Sequence, residues 1–179
     1  LQIATGGGKT NLGAALIKAL GRKTMWVTHR QALANQIRER LSSLLGQPVG
    51  LVGDGVSDIQ DVTVCMVQTL DRSETEHRQE LRDFLQVVEV IILDEAHHFG
   101  SSSSDQWYRQ ILKTNAKWRY GLTATPDFDG AGLRLTALTG PALYKISTAE
   151  LINRGVLVPP RIWYIENSDP KITATGLAG

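Results

Sequence analysis

The sequence predicts an α/β fold in which a mostly parallel central sheet is flanked by helices. Two observations carry this prediction: short apolar runs alternate with stretches of helical spacing, and polar residues directly follow several of the runs. Strands that alternate with helices form βαβ units, which build a parallel sheet. Ligands bind at the carboxyl ends of such strands, so we expect the functional residues there.

Each element follows from its local pattern. Apolar residues recur at helical spacing in Gln31–Leu45, whereas Val87–Leu93 is a run rich in β-branched residues. In chain order, the predicted elements are the end of a strand at Leu1–Ala4, a helix at Lys9–Leu20, a strand at Thr24–Thr28, a helix at Gln31–Leu45, strands at Val49–Val52 and Val62–Val67, a helix at Arg78–Leu85, a strand at Val87–Leu93, a helix containing Arg109–Lys113, a strand at Trp118–Leu122 and a short helix at Thr148–Arg154. The remaining predictions are loops at Ser101–Ser104 and Asp127–Gly132 and a strand at Arg161–Ile165 that leaves the domain.

Composition limits the kinds of protein that the chain can be. Its 179 residues suit one domain, and its net charge of +1 excludes a strongly basic tail but not a local basic groove. The single Cys65 excludes an internal disulfide framework and a multi-cysteine metal site. No apolar run is long enough to span a bilayer, so we expect no membrane partner and an intracellular location, cytoplasmic or, in a eukaryote, nuclear.

The first motif is a glycine turn, Thr5–Thr10 (TGGGKT), between the first apolar run and the first helix. Its glycines let the backbone direct several N–H groups toward one point, where the helix adds its positive dipole end. Lys9 can then reach phosphate oxygens, and the Thr10 hydroxyl can bind Mg²⁺. The strict phosphate-loop pattern would have glycine in place of Ile3. An ordinary glycine-rich turn is the alternative, disfavoured by the Lys-Thr pair that follows the glycines.

The second motif is a pair of acids, Asp94 and Glu95, directly after the apolar run VIIL. Two carboxylates at the end of a buried strand are costly unless they serve an ion or a reaction. Asp94 can hold Mg²⁺ through its water shell, and Glu95 can polarise a water that attacks a γ-phosphate. A solvated surface turn is the alternative. The adjacent His97 and His98 have no other ligand at zinc spacing, so we expect His97 to contact the nucleotide or the third motif.

The third motif is Gly121–Pro126 (GLTATP), which follows another predicted strand. The hydroxyls of Thr123 and Thr125 flank the small Ala124 and can hydrogen-bond the second motif. The alternative is a simple exit from strand to loop that Pro126 ends.

These motifs, in this order, resemble those of superfamily-2 helicases. IATGGGKT resembles motif I, VIILDEAHHF motif II and GLTATP motif III; VTHRQALANQ (Val27–Gln36) resembles motif Ia, and TVCMVQTL (Thr63–Leu70) a later nucleic-acid-contacting segment. The resemblance covers residues 1–126 and extends more weakly to Ile165. The residues that form these motifs are similar to those of one branch of the superfamily, which contains excision-repair-type helicases, phage helicases and restriction-enzyme motor subunits. That branch often has Arg where this chain has Phe128, while Leu151–Pro159 resembles the exit of the branch toward its second motor domain.

The resemblance implies a RecA-like domain with a phosphate loop, ATP and Mg²⁺ as its ligands, and DNA, or less readily RNA, as its partner. The domain would comprise residues 1–160. We expect it to be truncated at the N-terminus, because only LQIA precedes the glycine turn. Residues 161–179 would lead to a second RecA-like domain outside this sequence. Without the arginine finger of that domain, the fragment should hydrolyse ATP poorly. Three alternatives remain: the motor of a type I or III restriction enzyme, another phosphate-loop NTPase such as a kinase, and a non-catalytic binding module.

The resemblance also assigns expected roles to residues. The ATP-binding residues would be Thr5, Gly6, Gly7, Gly8, Lys9 and Thr10; the catalytic residues Lys9, Asp94 and Glu95; the magnesium ligands Thr10 and Asp94; the coupling residues His97, Thr123, Ala124 and Thr125; and the nucleic-acid contacts Thr28, His29, Arg30, Gln68 and Thr69. For Thr28–Arg30, a polar helix start is the alternative.

Overall fold

The computed structural model describes residues 1–71, 79–101, 104–126 and 132–163. Its strands are β1 (Gln2–Ile3), β2 (Thr24–Thr28), β3 (Gly50–Gly53), β4 (Val56–Asp58), β5 (Val62–Met66), β6 (Val90–Asp94), β7 (Trp118–Leu122) and β8 (Lys145–Ile146). Its helices are α1 (Lys9–Leu20), α2 (Gln31–Leu45), α3 (Val67–Asp71), α4 (Gln79–Val87), α5 (His97–Gly100), α6 (Asp105–Leu112), α7 (Gly132–Thr139) and α8 (Thr148–Asn153).

A six-stranded sheet in the order β4-β3-β5-β2-β6-β7 forms the centre of the molecule. All neighbouring strands are parallel except β4, which pairs antiparallel with β3. The short parallel pair of β1 and β8 extends the sheet at the end of β7, because the Ile3 amide donates to the Thr123 carbonyl at 2.8 Å. The predicted α/β fold with a mostly parallel sheet is confirmed.

Apolar side chains cover both faces of this sheet. Along β2, Trp26 faces one cluster with α1 and α2, whereas Met25 and Val27 face the opposite cluster with helices α3 to α7. Strand β6 alternates in the same way. A parallel sheet that is buried on both faces explains why its strands read as continuous apolar runs rather than as alternating patterns.

Four predicted elements have the same bounds in the structure: α1, β2, α2 and β7. The predicted strand Val87–Leu93 begins too early, since β6 starts at Val90 and Val87, half-exposed, ends α4. Likewise, Val67 begins α3 instead of ending β5. Both errors arise because apolar residues at a helix end lie close to those of a neighbouring strand, with no glycine or proline between them.

Other differences concern short elements without a clear pattern. The sequence did not predict β4, whose residues Val56 and Ser57 are exposed, nor β8, α3, α5 and α7. The expected strand at Arg161–Ile165 is not formed by residues 161–163, which are exposed and have no regular secondary structure, and its last two residues lie outside the described part of the chain. Residues 102–103 of the loop predicted at Ser101–Ser104 and residues 127–131 of the loop predicted at Asp127–Gly132 also lie outside it, whereas Gly132 begins α7. Among the described residues, no helix is long and apolar enough to cross a bilayer.

Candidate active site

The glycine turn between β1 and α1 needs glycine at each of its three central positions. Gly6 and Gly8 adopt φ angles of 78° and 83°, in the left-handed region that side chains rarely occupy. At Gly7, a Cβ atom would lie 2.8 Å from the side chains of both Ile3 and Leu151. The turn therefore packs its middle against apolar side chains and directly precedes the N-terminus of α1, where free helix amides can bind an anion.

Lys9 and Glu95 form an ion pair between the first and second motifs. The Lys9 Nζ lies 2.5 Å from the Glu95 Oε1, and the two side chains are 13% and 29% exposed. Glu95 has a φ of 47°, so the chain turns sharply after β6 and aims this carboxylate at the glycine turn. The structure thus brings together two residues that lie 86 positions apart in the sequence.

His97 connects the second motif with the third. Its Nδ1 is 2.9 Å from the Thr123 Oγ1 and 3.6 Å from the Glu95 Oε2. The Thr123 Oγ1 also accepts a hydrogen bond from the Thr125 amide at 3.1 Å, and the Ala124 carbonyl accepts one from the Gln2 side chain. The contact with the third motif expected of His97 is therefore present, and a continuous polar chain runs from Lys9 to Thr125.

An open cavity of about 450 Å³ lies beside the Lys9–Glu95 pair. Its wall contains Gly6, Gly8, Lys9, Thr10, Asn11, Asp94 and Glu95, together with Leu33, Gln36, Ile37 and Arg40 from α2. Thr5 is exposed at the start of the turn. The hydroxyl of Thr10 and the carboxylate of Asp94 share this wall, and oxygen donors of these two kinds fit the ligand preference of Mg²⁺.

The charges and burial around Asp94 favour the binding of a cation beside its carboxylate. The pKa of Asp94 is raised to about 6, chiefly by burial and then by the charge of Glu95, while the positive charge of Lys9 and a hydrogen bond from the Glu95 amide oppose the rise. A buried carboxylate beside another carboxylate is unfavourable in its charged form, and a divalent cation would reverse that preference.

The predicted nucleic-acid contacts lie at the carboxyl ends of β2 and β5, which are neighbours in the sheet. We call this set the strand-end group: Thr28, His29, Arg30, Gln68 and Thr69. Gln68 Nε2 donates to the His29 carbonyl at 2.8 Å, which joins the two strand ends, and Arg30 is exposed. Thr28, in contrast, is fully buried, so its hydroxyl does not reach the surface in this structure.

Three polar atoms of the strand-end group are buried and have no hydrogen-bond partner among the described residues. They are Thr28 Oγ1, His29 Nδ1 and Gln68 Oε1. Buried polar atoms without a partner are rare in folded proteins, because each has lost its hydrogen bonds to water.

The sequence did not reveal the position of His98. Its ring centroid lies 4.2 Å from that of His29 and 4.1 Å from that of His97, so three imidazoles form a continuous series. Burial lowers the pKa of His29 to about 4, and burial also lowers the pKa values of His97 and His98. No sequence signal showed this contact, because it depends on α5, which begins at His97 and was not predicted.

Comparison with known proteins gives a family match to most of the chain. The family model described as "Type III restriction enzyme, res subunit" matches residues 1–128. The DNA 3'-5' translocase XPB2 of Sulfurisphaera tokodaii is 29% identical over 156 residues, which are 86% of this chain and 33% of that protein. A protein of Acanthamoeba polyphaga mimivirus, named as an ATP-dependent RNA helicase, is 28% identical over 148 residues, or 80% of this chain and 27% of that protein.

Solved structures share the fold. A nuclease-deletion mutant of the Type ISP restriction-modification enzyme LlaGI, in complex with a DNA substrate mimic, superposes with a TM-score of 0.67 at 16% identity, covering 86% of this chain and 16% of that one. Identity at this level demonstrates the fold alone. The chain spans about a third or less of the length of each of these relatives.

Proposed function

The chain belongs to the family of type III restriction enzyme res subunits, and on that basis we propose that it is the ATP-binding motor domain of a nucleic-acid translocase or helicase. One observation supports this function above the others. The polar chain from Lys9 through Glu95, His97 and Thr123 begins in a phosphate-type glycine turn and lies at the same sheet edge as the strand-end group. A motor must couple its ATP site to its nucleic-acid contacts, and here both would lie at the carboxyl ends of strands of one sheet.

ATP binding would use groups that converge on the glycine turn. The amides of Gly6 and Gly8 and those at the start of α1 would hold the phosphates, as at other helix N-termini, whereas the Gly7 amide donates to the Ala4 carbonyl at 3.0 Å. Lys9 would exchange the Glu95 carboxylate for phosphate oxygens, because both lie on the wall of one cavity. Mg²⁺, held by Thr10 and Asp94, would neutralise charge on the phosphates.

Hydrolysis would depend on Glu95 once Lys9 has moved to the phosphates. The freed carboxylate can orient a water and accept its proton, and His97 lies 3.6 Å away to hold it in place. His97 also contacts Thr123, whose hydroxyl is tied to the Thr125 amide. A change at the phosphates can thus move the third motif, which is the coupling role we propose for His97, Thr123, Ala124 and Thr125.

Nucleic acid would bind along the strand-end group. Arg30 is exposed and can contact a phosphate, while His29, Gln68 and Thr69 are partly exposed beside it. Contacts to the backbone grip a polynucleotide without reading its sequence, which suits a motor. We propose DNA as the partner, since the more similar of the two relatives is named as a DNA translocase.

We also propose that residues 1–160 are the domain and that residues 161–179 lead to a second RecA-like domain. Two large side chains near this boundary, Ile162 and Trp163, are 70% and 81% exposed. Apolar side chains so exposed are typical of surfaces that another domain covers.

A restriction-enzyme motor is the second candidate, because the matching family model is described as a type III restriction enzyme subunit. In that case a nuclease would follow in the complete protein, whereas a repair-type translocase would lack one. The complete reading frame distinguishes the two.

The proposed function is tested by measuring ATP hydrolysis by the intact protein with single-stranded DNA, duplex DNA, RNA or no polynucleotide. We expect DNA to stimulate turnover, and we expect Lys9→Ala to abolish both the basal and the stimulated rate. Turnover that no polynucleotide changes would contradict a motor and favour another phosphate-loop NTPase.

A further inference from the structure

His98 lies between the two functional regions without belonging to either. Its ring is 4.2 Å from that of His29, in the strand-end group, and 4.1 Å from that of His97, in the candidate ATP site. Both centroid distances are at or below the short end of the range for packed rings, so each pair is in van der Waals contact. We call His29, His98 and His97 the histidine bridge.

Each end of the histidine bridge contacts a segment that belongs to one of the two proposed sites. At one end, the His29 carbonyl accepts a hydrogen bond from Gln68, so β2 and α3 share its position. At the other end, His97 Nδ1 contacts Thr123 of the third motif. A displacement of His29 by a bound ligand would press on His98 and shift His97 relative to Glu95.

At the His29 end of the bridge, buried polar atoms without hydrogen-bond partners in the described structure favour a rearrangement when a ligand binds. His29 Nδ1 and Gln68 Oε1 are buried and lack hydrogen-bond partners among the described residues. An incoming ligand that offers them a partner would lower the free energy of a rearranged His29, because an unsatisfied buried polar atom is unfavourable. Ligand binding at the strand-end group would therefore favour a new position of His29 and a change in its contact with His98.

We propose that His98 is a positioning residue that couples nucleic-acid contact at His29 to ATP hydrolysis, acting through His97. This inference rests on the proposed function, since it needs both ligands. The lowered pKa values of the three imidazoles support it, because uncharged rings pack without mutual repulsion at neutral pH. Coupling by packing requires a ring at position 98 but not a proton, and this distinction gives the test its matched pair of variants.

The experiment compares His98→Ala with His98→Phe in the intact protein. Basal ATP turnover, DNA-stimulated turnover and the affinity for a fluorescent ATP analogue are measured for each. For His98→Ala we expect near wild-type basal turnover and analogue affinity but a loss of stimulation by about 5-fold or more, the lower end of ordinary coupling between sites. For His98→Phe we expect stimulation to return, because the ring contacts are restored.

A second measurement does not depend on turnover. Coupling between two sites is reciprocal, so a non-hydrolysable ATP analogue should change the Kd for a DNA oligonucleotide in the wild type. In His98→Ala, the ratio of the two Kd values should move toward one. In a His29→Ala background, His98→Ala should have little further effect on that ratio, because the bridge is already broken.

Three results would overturn the inference. They are unchanged coupling in His98→Ala, an equal loss of basal and stimulated turnover with a lowered unfolding temperature, and a His98→Phe variant that behaves like His98→Ala. The first denies a role, the second indicates a purely structural one, and the third denies that ring packing carries the effect. Wild-type protein that DNA does not stimulate would instead refute the proposed function, and the inference with it.

Discussion

Two regions at the same edge of the sheet differ in how their polar groups are satisfied. In the candidate ATP site, Lys9 pairs with Glu95, and His97 contacts Thr123. In the strand-end group, polar atoms of Thr28, His29 and Gln68 are buried without partners in the described part of the chain. Leaving such an atom unpaired costs about 1–3 kcal/mol.

The difference indicates two ways of preparing a site. The candidate ATP site has its charged groups already paired with one another, so phosphate oxygens that bind Lys9 would replace its ion pair with Glu95. The strand-end group instead has buried polar atoms without partners among the residues that the structure describes, which a ligand could satisfy only if the side chains around them rearranged. The predictions below break one region at a time, from the largest expected effect to the smallest.

The strongest test of the assembled site is Glu95→Gln. We expect kcat for ATP to fall by about 10²–10⁴-fold, because a neutral amide cannot accept a proton from water. We also expect ATP to bind at least as tightly as in the wild type, since Lys9 no longer has a carboxylate that competes with the phosphates. Steady-state ATPase assays and the Kd of a fluorescent ATP analogue measure the two effects.

The matched control is Glu89→Gln at the other end of β6. Glu89 pairs with Arg22 at 3.0 Å, but both side chains are about half-exposed, and an exposed pair contributes little. Its turnover should equal that of the wild type. If Glu95→Gln kept wild-type turnover in an otherwise active protein, Glu95 would lose its assigned role.

The next test concerns the packing that holds the glycine turn. In Gly7→Ala, the added methyl group would lie 2.8 Å from Ile3 and Leu151 side chains and 2.9 Å from the Ala4 carbonyl oxygen. Overpacking of this kind typically costs about 1–3 kcal/mol, so we expect the free energy of unfolding to fall by that amount and ATP affinity to fall with it. Chemical denaturation measures the first and analogue binding the second.

Gly21→Ala separates backbone strain from overpacking. Gly21 has a φ of 58° and no atom within 4 Å of the added methyl group, so only the left-handed backbone opposes alanine, by about 1–2 kcal/mol. We expect stability to fall but ATP affinity to stay unchanged. Loss of ATP affinity in Gly21→Ala to the same degree as in Gly7→Ala would show that the effect is not specific to the glycine turn.

Sequence patterns predicted those elements whose ends carry their own signals. Helix α1 lies between Gly8 and Gly21, both in the left-handed conformation, and α2 ends at Gly46 in the same way. Glycine at a helix C-terminus is a local signal that needs no tertiary information. Where such signals were missing, as between Val87 and Val90, the boundary was set by tertiary burial and the prediction was wrong.

The site shows the same limit. Motif order indicated that Lys9, Glu95 and Thr123 would meet, because carboxyl ends of parallel strands share an edge. The contact of His98 with His29 was not predictable, since it depends on the adjacency of β2 and β6 and on the direction in which a short helix leaves β6. Burial of Thr28 likewise depends on what packs over its strand end, which the local sequence does not encode.

The smallest expected effect separates the two regions most directly. Thr28 and Thr24 lie at opposite ends of β2 and both are fully buried, but only the Thr24 hydroxyl has a partner, the Arg22 carbonyl at 2.8 Å. Thr24→Val should cost about 1 kcal/mol, because it removes a hydrogen bond. Thr28→Val should leave the free energy of unfolding within about 0.5 kcal/mol of the wild type, or raise it, because it removes a buried atom that is already unpaired. Chemical denaturation measures both free energies of unfolding. Equal losses in the two variants would mean that the Thr28 hydroxyl has a hydrogen-bond partner in the folded protein. The two regions would then differ less in how their polar groups are satisfied.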